Sequence, residues 1–131
     1  MSTKRKGTTM SAARKNLMLP MRMFREVLAA REGAEDHWRE LAGLTNVCGL
    51  YAQERRNHEW LQALMAGAQA LAEVEARHNR VGGRWAATEP EVAALTTALN
   101  VMDCEILPAM LQADFERLAT KLNAMAAEDV A

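Results

Sequence analysis

The chain has 131 residues, half of them hydrophobic, with 5% aromatic residues and a formal net charge of −1. That length fits one domain with a real core and leaves little room for two. Alanine, leucine and methionine carry the apolar mass, which favours helix packing over a β-sandwich. No uninterrupted apolar run approaches the roughly 18 residues that span a bilayer, and no signal-peptide core follows the basic start, so a cytoplasmic location is expected.

The charge is divided along the chain. Residues 1–31 hold eight Lys/Arg and one acid, for +7, while residues 32–131 hold eight Lys/Arg and sixteen acids, for −8. Residues 1–16 read as a flexible basic arm, rich in Lys, Arg, Ser, Thr and Gly and without apolar periodicity. Residues 17–131 read as a single helical domain.

A first helix is expected to begin near Pro20, a residue suited to the first helical position. Met21, Phe24, Val27 and Leu28 form its apolar stripe, and Arg31 followed by Gly33 marks its end. A second helix follows from about Ala34, with Glu35 and Asp36 in its first turn. Its stripe is Trp38, Leu41, Leu44 or Thr45, Cys48 and Tyr51, and it ends between Glu54 and Arg56. Gly43 and Gly49 weaken it; close approach of a neighbouring helix accounts for one of them and not both.

Asn57 is suited to cap a third helix. Its expected stripe is Trp60, Leu61, Leu64, Met65, Ala68, Leu71 and Ala72, and Gly82-Gly83 ends it as a tight turn. Thr88-Glu89-Pro90-Glu91 forms a capping box for the next helix. The apolar pattern then runs Val92, Leu95, Leu99, Met102 and Ile106. It resumes with Met110 or Leu111, Phe115, Leu118, Leu122 and Met125. Pro108 interrupts the helix, and because the apolar phase nearly survives, a kink is expected over a separate loop. The fold expected is all-α, an antiparallel bundle of four or five helices with a Pro-kinked C-terminal helix.

Motifs for chemistry are sparse. Glu75-Ala76-Arg77-His78 has the spacing used in di-iron bundles, but no second Glu-x-x-His accompanies it. His58-Glu59 starts like a zincin motif without a histidine four residues on. No metal site, cofactor or catalytic residue is therefore expected, and the chain reads as non-enzymatic. Cys48 and Cys104 read as core thiols. The acid pairs Glu73/Glu75 and Glu89/Glu91 read as solvated faces.

Two features point to partners. Arg84 and Trp85 sit together in a polar turn; Trp85 reads as a core or staple residue, or as an exposed anchor for a protein partner. Lys4, Arg5, Lys6, Arg14 and Lys15 are candidates for nucleic-acid phosphates, or for an acidic surface on this or a neighbouring chain. A homodimer is also compatible with an acidic body and a basic arm.

The segment Arg77-His78-Asn79-Arg80-Val81-Gly82-Gly83-Arg84-Trp85-Ala86-Ala87-Thr88-Glu89-Pro90-Glu91 resembles one found in small helical proteins of proteobacterial phages and mobile elements. Those proteins often carry Gly where this chain has Pro90. The resemblance implies an accessory protein and transfers no catalytic residue. The expected function is binding of a macromolecule, as a regulator, inhibitor or assembly factor. Nucleic-acid association through the basic arm is the alternative, and a metalloprotein or enzyme using Glu75 and His78 ranks last.

Overall fold

The computed structural model describes residues 17–130. In chain order these form α1 (Met18–Ala30), β1 (Glu32–Gly33), α2 (Glu35–Glu54), α3 (His58–Val81), β2 (Trp85–Ala86) and α4 (Glu89–Val101). A π-helical turn (Met102–Ile106), a short α5 (Leu107–Ala109) and α6 (Gln112–Val130) follow. The fold is all-α. The two strands are an antiparallel clip of two residues each, pairing Glu32 with Ala86 and Gly33 with Trp85. The clip ties the α1–α2 connection to the α3–α4 connection and contributes no layer to the core.

Side-chain contacts fix the helix directions. Arg39, early in α2, lies 3.8 Å from Glu75, late in α3. At the other end Tyr51 stacks on Trp60, with ring centroids 6.4 Å apart. These two helices are therefore antiparallel. Arg77 meets Glu91 where α3 ends and α4 begins, while Trp60 at the start of α3 donates to Glu105 beyond the end of α4. Arg31 pairs with Glu89 and Arg25 with Asp103, so α1 runs antiparallel to α4. Arg117, early in α6, holds Glu54 at the end of α2 through two hydrogen bonds.

The caps explain where the helices begin. Asn57 accepts the Trp60 amide at 3.0 Å, as its position predicts. The Thr88 amide donates to Glu91 Oε1 at 2.8 Å, and the Glu91 amide donates to Thr88 Oγ1, closing the capping box. The end of α1 differs from the reading of the sequence. Arg31 itself adopts the left-handed backbone, with φ 65°, and not Gly33. Gly33 is needed for space: a methyl group there would lie 2.8 Å from Val27 Cγ1.

Three further expectations are corrected. First, the chain does not kink at Pro108 and continue. It stays helical through a widened turn, in which the Leu107 amide donates to the Met102 carbonyl, and then leaves the helix at the extended Met110. Pro108 lacks an N–H and its ring crowds the carbonyl four residues back, and a π-helical register takes up that crowding. Secondly, α3 is rotated from the expected stripe. Leu64, Gly67, Ala70, Leu71 and Val74 are buried, while Met65 and Ala72 are exposed. Thirdly, neither Gly43 nor Gly49 has an atom within 4 Å of where a Cβ would lie. The close approach falls at Gly67, where a Cβ would meet Ala98 Cβ at 2.7 Å.

The core is centred on α4 and the turn after it. Leu95, Leu99, Met102, Ile106, Leu107 and Met110 are almost fully buried, with Leu41 of α2 and Leu118 of α6. The helical stretch Glu89–Ala109 is long and apolar enough, by length and composition, to cross a bilayer. Its residues Leu95, Ala98, Leu99, Met102, Ile106 and Leu107 lie in the core of the bundle, against α1, α2 and α3. Cys48 is a core thiol, and burial pushes it up to about 12. Cys104 is exposed on the π-helical turn, against the expectation of a second core thiol.

Candidate functional site

The sequence Gly82-Gly83-Arg84-Trp85 turns the chain from α3 to α4 over one end of the bundle. Gly82 and Gly83 have φ 73° and 80°, a backbone that glycine adopts without steric cost. The following residues are tied down one by one. The Trp85 carbonyl accepts the Trp38 indole N–H at 3.1 Å, and the Trp85 ring stacks on His78 with centroids 4.2 Å apart. The Ala87 amide donates to the Arg31 carbonyl at 2.8 Å.

Arg77 holds the turn from beneath. It donates to the Ala86 carbonyl at 2.8 Å and to the Glu91 carboxylate. Glu91 keeps only 7% of its side-chain surface, so the expectation of a solvated Glu89/Glu91 face fails at Glu91. Burial pushes its carboxyl up. The Arg77 hydrogen bond and the Thr88 contacts outweigh that effect and hold it below the usual glutamate range. One carboxylate thereby caps α4 and pairs with Arg77, which supports the turn.

Trp85 is neither a fully buried staple nor a free anchor. It is half-buried, packed against the core on one side and lining a groove on the other. The residue directly before the cap, Ala87, is the buried one. Arg84 is exposed and pairs with Glu32 across the two-residue ladder at 2.9 Å.

The groove has a volume of about 570 Å³ and lies along α2, α3 and the C-terminal half of α6. Its apolar lining comes from Trp38, Leu71, Trp85, Leu122 and Met125. Ala42 and Gly43 of α2 and Ala68 and Ala72 of α3 also line it. These side chains are small and take up little of the groove. Asn46 and Asn123 supply amides, and Arg39 and Glu75 supply charge. The C-terminal half of α6 is exposed on most sides, so Met125 stands 43% exposed at the groove edge.

The Glu75/His78 pair does not form a ligand set. Glu75 approaches Arg39, whereas His78 faces the Trp85 ring and its Nδ1 has no partner. Among the described residues no three His, Cys, Asp or Glu side chains are grouped so as to hold a metal ion. Lys4, Arg5, Lys6, Arg14 and Lys15 lie outside the described residues. Of the two residues expected at this turn, Trp85 lines the groove and Arg84 does not; Trp38, Asn46, Asn123 and Met125 line it and are not marked as binding residues by the sequence.

Comparison with family models, with curated proteins and with solved structures finds no match to this chain.

Proposed function

We propose that this chain is a non-enzymatic helical binding protein that seats a protein partner in the groove along α2, α3 and α6. The observation that carries the reading is the groove's composition. Two tryptophans, two leucines and a methionine line a cleft edged by amides and one loose ion pair. Partner sites combine aromatic and methionine anchors with a polar rim in this way. Its size lies within the range of pockets that bury a side-chain cluster or a small ligand. The tied-down turn holds Trp85 at one edge of the groove, so little ordering is needed on binding. With the resemblance of residues 77–91, this favours an accessory role as a regulator, inhibitor or assembly factor.

The test is a double variant, Ala72→Glu with Met125→Glu, at two exposed groove positions. Captured from the native host, the wild-type chain should bring down a defined partner by mass spectrometry. The variant should lose that partner while keeping its helical circular dichroism and melting temperature. Retention of the same partner by the folded variant would place the contact elsewhere.

A further inference from the structure

Helix α6 is held to the bundle through its first half. Leu118 is buried, Phe115 and Ala119 pack against the core, and Arg117 holds Glu54. From Thr120 to Glu128 every residue is exposed except Leu122, which is half-buried. A helical segment of about two and a half turns is marginal alone in water, and this one has a single half-buried anchor. Its composition is not that of a solvated face. Ala124, Met125, Ala126 and Ala127 are consecutive, and Lys121 and Glu128 are the only charges in the stretch.

Lys121 and Glu128 are separated by about two helical turns, so they share one face of α6. Ala124 and Met125 lie between them on that face. No ion pair within the described residues uses Lys121 or Glu128. Lys121 shares the field of Glu54, which Arg117 already holds through its two hydrogen bonds. A cation and an anion therefore bracket a small apolar patch that the bundle leaves open.

This pattern is complementary to itself. Two copies of α6 packed antiparallel, about a two-fold axis between Ala124 and Met125, set Lys121 of each copy opposite Glu128 of the other. The same register sets Met125, 43% exposed, against the small Ala124 of the second copy, in both directions. Alanine at the crossing lets the helix axes approach to about 8 Å. Parallel pairing in register would oppose Lys121 to Lys121 and Glu128 to Glu128, so charge selects the antiparallel arrangement.

We infer that α6 docks on α6 of a second copy of this chain, as an antiparallel pair centred on Ala124 and Met125 and fixed by reciprocal Lys121–Glu128 ion pairs. A few turns from each copy bury less than a standard interface, so the dimer is reversible and concentration-dependent. This goes beyond the groove reading. Lys121, Ala124 and Glu128 do not line the groove, so either reading can fail without the other.

The test is sedimentation equilibrium of the full chain at low salt, from micromolar to millimolar loading. The wild-type chain should approach twice its 14.5 kDa mass as concentration rises. Lys121→Glu turns both ion pairs into repulsions and should weaken association at least about tenfold, as should Glu128→Lys. The two substitutions combined reverse each pair and should restore association. Ala124→Arg places a long cation at the crossing while keeping a strong helix former, and should leave the chain monomeric with unchanged circular dichroism. A wild-type chain that stays monomeric at millimolar loading would overturn the proposal. So would a dimer that survives Lys121→Glu or Ala124→Arg unweakened, or one that the double reversal fails to restore.

Discussion

Gly49 and Gly67 are both helix-interior glycines, and the structure gives them opposite consequences. At Gly49 a Cβ would meet nothing within 4 Å, so Gly49→Ala should stabilise by about 0.5–1 kcal/mol through lower backbone entropy loss. At Gly67 the added carbon would lie 2.7 Å from Ala98 Cβ, closer than two carbons can approach. Overpacking of that kind costs about 1–3 kcal/mol and exceeds the propensity gain, so Gly67→Ala should be a net loss. Urea midpoints at unchanged m-value would check the pair. The sequence marked glycines in α2 as candidates for close approach, but the one in contact lies in α3. Alanine surrounds Gly67 on both sides in sequence, and small residues do not reveal which face meets a neighbour.

At the scale of elements, caps were the most legible feature. Asn57 and the Thr88–Glu91 box act through local hydrogen bonds, and a four-residue sequence specifies them. The rotation of α3 was less legible, because Leu64 and Met65 are equally apolar and the alanines suit either side. The break at Met110 was not legible, because a π-helical turn shifts the register without changing the residue types. The join between α3 and α4 gives a pH-dependent test. Glu91 has a folded-state pKa below its usual 4.5, so its contribution is complete above that value and is lost as pH falls through the lower folded value. Glu91→Gln should cost roughly 2–3 kcal/mol at neutral pH, less than a fully buried pair, since Arg77 keeps 32% of its side-chain surface. Melting temperatures between pH 7 and pH 3 should fall less steeply for the variant than for the wild-type chain.

For the whole molecule, the helical class and the approximate helix boundaries were present in the spacing of Leu, Met and Trp. The groove was not, because it depends on how α6 settles after the break at Met110. That placement leaves Leu122 and Met125 facing Leu71 and Trp85 across a cleft. The Arg84-Trp85 turn proved to be part of the frame that bounds this cleft, more than a free-standing anchor. The most direct measurement of partner binding is site-specific photo-crosslinking in the native host. A crosslinking residue at Asn46, in the groove, is compared with one at Glu26, exposed on α1. A discrete adduct is expected from position 46 and none from position 26. No adduct from position 46, or the same adducts from both, would contradict it.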